Sequence, residues 1–310
     1  MTPASSVLLL TTLTGFGYGL LAWAGLLAAI GLLPPAPLFL PVAVVVALAF
    51  ANAGLMASTL HLGHPERAWR AFTQWRSSWL SREGVASLTT FPPALLFAAL
   101  WWALGPYAIA TRAFGLITAC LGLLTVGCTA MIYASLKPIR QWHNPHTLPD
   151  YLIFAVFSGA TLLAAVWALW FGAAAALAVV AMISALIAAS AKYAYWRFID
   201  TQKPLVTLAS ATGLTAFGTA RPLDRPHFTE NYILREMGYQ VARKHAMKLR
   251  RIAIALAFFV PALLALLAAF GVAPAITAPV ASLIALAGLL VERWLFFAEA
   301  THVATIYYGR

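Results

Sequence analysis

Charge is what this chain has least of. Its 310 residues include 20 Lys and Arg and 9 Asp and Glu, so 9% are charged while 62% are hydrophobic, with mean hydropathy +0.84. A soluble domain is about 25% charged and roughly 45–50% apolar, and no soluble core could hide this much apolar surface in one chain. Cysteine is scarcer still. Cys120 and Cys128 lie on one apolar run, about 12 Å apart if that run is helical and too far apart for a disulfide. Two thiols also fall short of the roughly four ligands of an iron–sulfur cluster. Runs of alternating polarity are missing as well, which excludes membrane-barrel strands of about 9–11 residues.

What is present is a series of long apolar runs. A membrane-spanning helix needs about 20 mostly apolar residues. Eight segments fit, near 7–32, 37–61, 84–104, 112–135, 150–171, 173–196, 252–271 and 277–299. The expected fold is all-α, a polytopic membrane bundle of eight transmembrane helices forming one domain over 1–310. The first run has no charged n-region, and at about 26 residues it exceeds the roughly 7–15 of a signal-peptide core. It is expected to be a retained span. The spacing Gly15-x-x-x-Gly19, with Gly25, suits close helix packing.

The few charges are placed unevenly. Connections near 33–36, 105–111, 172 and 272–276 contain no Lys, Arg, Asp or Glu, with Arg112 at the edge of one. The loops 62–83, 136–149 and 197–251 hold nearly all the rest, including Arg67, Arg70, Arg76, Arg82, Lys137 and Arg140. Cytoplasmic loops collect Lys and Arg, so both termini and the large loops are expected in the cytoplasm, with the chain in a bacterial inner membrane. Loops beyond about 12–15 residues are usually functional or disordered. Within the longest, Phe228 to Arg251 reads as an amphipathic helix. Its apolar residues are Tyr232, Ile233, Met237 and Val241, and its basic ones are Arg235, Arg243, Lys244, Lys248, Arg250 and Arg251. Two readings stand side by side: a helix lying on anionic lipid and a docking surface for a partner. No nucleic-acid partner is expected.

The most informative stretch runs from His61-Leu62-Gly63-His64-Pro65-Glu66-Arg67-Ala68-Trp69 to Ser78-Trp79-Leu80-Ser81-Arg82-Glu83-Gly84. Ionisable groups in a membrane protein tend to be working parts. Here a histidine closes one predicted span and a glutamate opens the next. The simpler account is that Ser81 is an N-cap and that Glu83 interacts with the positive end of the helix dipole. The functional account notes that quinone chemistry needs a polar group at each ring oxygen and a protonatable group to exchange protons. His61 and Glu83, ringed by Trp69, Trp75 and Trp79, supply both.

These residues resemble the membrane anchor subunit of the dimethyl sulfoxide reductase family. The likeness rests on His61-Leu62-Gly63, Pro65, Arg67-Ala68, Ser78, Leu80-Ser81 and Glu83. Met131-Ile132-Tyr133, Arg235-Glu236-Met237-Gly238-Tyr239 and Arg243-Lys244-His245 add to it. The resemblance implies eight helices, no cofactor of the anchor's own and a quinol site beside an iron–sulfur subunit, with His61 and Glu83 as the quinol-linked pair. Arg67, Trp69, Ser78, Trp79 and Ser81 complete the expected quinone site. Arg70, Arg76, Arg82, Arg140, Arg235, Arg243 and Lys244 are the expected docking residues. The best-known members serve exported catalytic subunits, whereas the basic face here points to the cytoplasm. That is similar to a branch serving a cytoplasmic sulfite dehydrogenase that reduces quinone. The implied partners are then an iron–sulfur electron-transfer subunit and a molybdopterin catalytic subunit, and the quinone is ubiquinone or menaquinone. The alternative within the family is quinol oxidation.

Two rivals belong to other classes. A b-type haem needs axial ligands, commonly His. None of His61, His64, His143, His146, His227, His245 and His302 lies mid-span, and His61 with His302 is the one conceivable pair. A secondary transporter keeps ionisable or broken-helix sites near the midplane. The middles of the first seven spans carry no charge, and Pro92-Pro93, Pro261 and Pro279 read as lying near span ends. Glu299 and His302 have the spacing of di-iron bundles, but the further copies those need are missing, and they read as residues at the interface end of the last span. Glu292 and Arg293 lie deeper, and each is expected to need its own partner.

Overall fold

The computed structural model describes residues 4–59, 62–172, 175–202, 206–224 and 241–308. Eight helices are long and apolar enough to cross a membrane. They are α1 (Ser5–Ala29), α2 (Phe39–Thr59), α3 (Trp79–Leu104), α4 (Ile109–Ala134), α5 (Thr147–Phe171) and α6 (Ala175–Thr201). The seventh, α7, runs as Val241–Ile254, a π-helical turn Ala255–Phe259 and Val260–Ala269, and α8 is Pro274–Ala298. In hydrocarbon each backbone polar group must find its partner within the chain, which leaves helices as the solution for these runs. Among the described residues there is no β-strand, only an isolated bridge between Ile139 and His302.

The bundle is organised around α1 and α5. In their most apolar windows 61% and 67% of residues are buried, against 33% in α3, α6 and α8. Small residues let α1 touch its neighbours α5, α4 and α2 along their backbones. A Cβ on Gly19 would collide with the Ala155 carbonyl and Gly159, and one on Gly25 would collide with the Gly115 carbonyl. The third tight position is Gly17, against Ala47 and Ala51 of α2. Gly15 is not one of them, since a Cβ there would meet only Ser158 Oγ at 4.0 Å.

Several helices extend further than their apolar runs. The third begins at Trp79 with Ser78 as its N-cap residue, so Ser81 and Glu83 lie inside the helix and are buried. Ser81 is therefore not the cap. The longer helix also places Pro92-Pro93 at its centre, and Pro261 follows a π-helical turn inside α7. Neither site is near a span end, although both helices continue through the prolines.

The loop at 136–149 is fixed to the bundle. Ile139 and Trp142 are buried. The Trp142 indole donates to the Phe296 carbonyl at 2.9 Å, and the Tyr195 hydroxyl donates to the Gln141 carbonyl at 2.9 Å. Arg140 donates to Gln202. At the start of α7, Arg250 is not a free basic residue on an amphipathic face. It bonds Asp200 of α6 at 2.6 Å and Glu299 at 2.8 Å, tying α6, α7 and the end of α8 together. The amphipathic segment expected from Phe228 falls outside the described residues up to position 240. From Val241 onward the helix continues into the membrane span.

Candidate functional site

Between α2 and α3, at the end that carries the large loops, the bundle opens into a cavity of about 580 Å³. Asn52, Leu55 and Met56 of α2 form one wall, and Glu83, Gly84, Ser87, Leu88 and Phe91 of α3 form the other. Leu10 of α1 and Ile132 and Tyr133 of α4 lie behind. A 3-10 helix, Pro65–Phe72, covers the end and contributes Arg67, Ala68, Ala71 and Phe72. Met56 and Leu88 are exposed on the outer surface of the two flanking helices, so the cavity opens sideways, toward lipid in a membrane. Gly84 has a clear structural reason: a side chain there would press on the Phe72 ring at 2.9 Å and lift the cover off α3.

Glu83 is the charged side chain buried in this wall, at 6% exposure. On its inner side the Thr129 hydroxyl of α4 donates to Glu83 Oε1 at 2.6 Å. The same hydroxyl also lies 3.1 Å from the Thr125 carbonyl. A hydroxyl has one proton to give and lone pairs to accept with. With Glu83 ionised, Thr129 donates to the carboxylate. With Glu83 protonated, the carboxyl donates to Thr129, which turns its own proton to Thr125. Both protonation states of Glu83 are therefore accommodated without moving a helix. Ser87 Oγ and the Tyr18 hydroxyl are buried neighbours behind Glu83, without hydrogen-bond geometry between them.

The structure brings together only part of the expected set. Glu83 and Arg67 line the cavity, whereas His61 lies outside the described residues. His64 does line the cavity, with Nδ1 at 3.0 Å from Glu66 at the exposed rim. Trp69, Trp79, Ser78 and Ser81 are not in the lining, and neither is Trp75. Trp69 and Trp75 are 60% and 51% exposed, and their rings lie against Arg70 and Arg76. The expected tryptophan ring is thus absent from the lining: the 3-10 helix presents Arg67, Ala68, Ala71 and Phe72 to the cavity and leaves Trp69 exposed. Arg82 stacks over Trp79 at 4.2 Å and donates to the Trp75 and Arg76 carbonyls at 2.9 and 2.7 Å, bracing the turn before α3. Arg235 lies outside the described residues, and the side chains of Arg243 and Lys244 are likewise not described.

Several polar residues escaped notice in the sequence. Thr129, Ser87 and Asn52 sit in apolar runs and carry no charge to draw attention. Lys192 did offer a signal, as a lone cation in an apolar run. Because α6 continues to Thr201, Lys192 lies well inside the helix, so a charge-free interior does not hold for the sixth span. It is 1% exposed and its Nζ is 2.5 Å from Glu292 Oε1 of α8. Arg293 Nε is 3.6 Å from the other Glu292 oxygen, so these adjacent residues do share a contact, although each also has partners elsewhere. The Arg293 guanidinium also lies 3.7 Å over the Tyr151 ring. At the end of α8, Glu299 pairs with Arg250 and His302 accepts from the Ala304 amide at 3.1 Å. Among the described residues no group of three or more His, Cys, Asp or Glu is placed to hold a metal ion.

Eight apolar helices, packed through glycine and with their ionic groups paired inside the bundle, make this a multi-pass membrane protein. Within that class the family follows from comparison. The DMSO reductase anchor subunit (DmsC) family matches residues 38–299, and the chain belongs to that family. It is 35% identical to a sulfite dehydrogenase subunit of Allochromatium vinosum across 99% of both chains. It is 29% identical to anaerobic dimethyl sulfoxide reductase chain YnfH of Escherichia coli over 117 residues, 36% of this chain and 39% of that one. No solved structure matches it.

Proposed function

We propose that this anchor subunit binds the head group of a membrane quinone, ubiquinone or menaquinone, in the cavity between α2 and α3. There it passes electrons between an iron–sulfur partner subunit and the quinone pool. The reaction we assign is quinone reduction in a complex whose molybdopterin subunit oxidises sulfite. The observation that carries this reading is a buried carboxylate at the back of an apolar, laterally open cavity of about 580 Å³. Ligand pockets commonly span about 300–1,000 Å³ with a few placed polar groups. The relative named as part of a sulfite dehydrogenase supports the choice of substrate for the complex. The same site run in reverse, oxidising quinol, is the alternative raised by the more local likeness to the dimethyl sulfoxide reductase chain.

In this reading Glu83 exchanges a proton with one ring oxygen and Thr129 adjusts to its protonation state. His61 is assigned the second ring oxygen, with His64 as the competing candidate because it lines the cavity. Arg67 holds the positively charged rim. Arg70 on the cover and Arg76 just beyond it, both exposed, are assigned to docking the iron–sulfur subunit, as are Arg235, Arg243 and Lys244. Arg82 and Arg140, which already have partners within the chain, shape the loops of that face. The lopsided Lys and Arg distribution supports a cytoplasmic location for this face and for both termini in the inner membrane. The test is the intact complex carrying Glu83→Gln. Electron entry from substrate should be unchanged while quinone reduction drops by about a hundredfold, within the range of general acid–base catalysis. Normal quinone turnover by that assembled variant would remove Glu83 from the site.

A further inference from the structure

We infer that the chain binds an anionic phospholipid in a second cavity, between α6 and α7 at the end carrying the large loops. This site is separate from the cavity between α2 and α3 and does not rest on the quinone reading. Toward the far end of the bundle the two helices are joined by small residues, with Ala181 of α6 and Ala265 of α7 buried in one cluster. At the loop end they enclose about 630 Å³, within the range of about 300–1,000 Å³ common for ligand pockets. Trp196 forms the back wall, buried, with the Arg250 guanidinium 5.2 Å from its ring. Ala255 and Phe259, the first and last residues of the π-helical turn, line one side. Such turns are rare and frequent at functional sites. Gly288 of α8 holds this one in place, since a Cβ there would come within 2.1 Å of the Ala257 nitrogen.

The lining is sorted by depth. Arg197, Asp200, Arg250 and Arg251 stand toward the loop end, whereas Tyr193, Ile254 and Phe259 stand deeper along their helices. From Arg251 to Phe259 the chain rises about 12 Å along a helix, so ionic and apolar groups occupy different levels of the bilayer. Tyr193 and Phe259 are exposed, and exposed Leu186 and Leu263 continue the apolar surface below them. The cavity therefore opens sideways onto lipid, polar at the top and apolar beneath. That is the profile of a phospholipid, with its head group at the interface and its chains in hydrocarbon.

Charge selects the head group. Asp200 is the carboxylate in the lining, and Arg250 already bonds it and Glu299. Arg197 of α6 and Arg251 of α7 line the same cavity, are exposed, and have no ion pair among the described residues. A phosphodiester between them takes charge-assisted hydrogen bonds from both guanidinium groups, while its acyl chains run along Tyr193 and Phe259. A choline head group would bring a cation to a site whose carboxylate is already paired. Free phosphate would leave the apolar level unfilled. Basic pockets between membrane helices are a recurrent setting for acidic lipid head groups.

The test uses the intact complex, delipidated in neutral detergent, with native mass spectrometry to count retained lipid and thermal unfolding to read its effect. Added phosphatidylglycerol should raise the unfolding temperature, as a ligand of the folded state does, and phosphatidylcholine should not. Arg197→Gln combined with Arg251→Gln should lose one retained lipid per chain and weaken phosphatidylglycerol binding about thirtyfold, the expected loss for two cations near the membrane surface. Ala255→Trp, which fills the apolar level and leaves both arginines in place, should lose the same lipid. Equal stabilisation by phosphatidylcholine, displacement of the lipid by inorganic phosphate, or an unchanged lipid count in either variant overturns the site. So does finding a quinone as the retained molecule, or a change of oligomeric state with no lipid lost. The comparison of the two lipids on the unaltered complex decides even where a variant does not assemble.

Discussion

Two buried glutamates divide the molecule. Glu83, in the half built from α1 to α4, has a neutral hydroxyl as its partner and an open cavity in front of it. Glu292, in the half built from α5 to α8, is 0% exposed and held between Lys192 and Arg293. Among the described residues the first has the Thr129 hydroxyl as its bonded partner and no cation in an ion pair with it. The second is locked into an ionic group, because removing either partner leaves a bare charge away from water. The bundle thus leaves one carboxylate facing a cavity and encloses the other between cations. What separates them is the partner each helix neighbour supplies.

The sharpest way to break this comparison is to strip the paired carboxylate of its cation. Lys192→Met should destabilise the protein by about 3–5 kcal/mol, the usual cost of orphaning a buried charge. Combining it with Glu292→Met should recover most of that loss, as read by thermal unfolding in detergent. Glu83→Gln goes the other way. Stability should change by less than about 1 kcal/mol, since an amide can still accept from Thr129. Quinone turnover should fall about a hundredfold, which corresponds to roughly 2.7 kcal/mol of barrier. Equal stability losses in the two variants would erase the distinction between the halves.

Thr129→Val tests the neutral partner that sets Glu83 apart. It removes the hydroxyl that follows Glu83 through its protonation states and should slow quinone reduction about tenfold, near 1.4 kcal/mol. Substrate-driven reduction of the iron–sulfur partner should not change, and Thr129→Ser should restore the rate. The smallest effect belongs to the surface of the cover. Arg82→Ala removes a cation–π contact and two bonds to carbonyls at the surface, worth about 1 kcal/mol or less in total. Its signature should be faster proteolysis near Arg76 with quinone turnover within about twofold. A large loss of turnover would move Arg82 from bracing the loop into the site.

The sequence carried the eight helices because span length and hydropathy are local properties. It missed where α3 begins, since Trp79, Ser81 and Arg82 look like loop residues until Arg82 turns back to bond the carbonyls of the preceding turn. It marked Glu83 because a carboxylate in an apolar run stands out. Thr129, 46 residues away, could not be marked, because threonines are common in these helices. It marked Glu292 and Arg293 without their partner, because Lys192 sits on a different helix and no spacing connects α6 with α8. The tryptophans misled for a related reason. Their number near Glu83 is visible in the sequence, while the direction each ring faces depends on how the 3-10 helix lies across α3.

By itself, then, the chain's composition determined a helical membrane protein with its charge gathered at one end, because the cost of polar groups in hydrocarbon acts residue by residue. The scarcity of charge that defines the sequence also marked Glu83 as exceptional. Only the tertiary structure decided that Glu83 faces an open cavity backed by Thr129 while Glu292 is enclosed by cations. Those environments come from side chains brought within about 3 Å by helix packing, a contact that no pattern along the chain encodes.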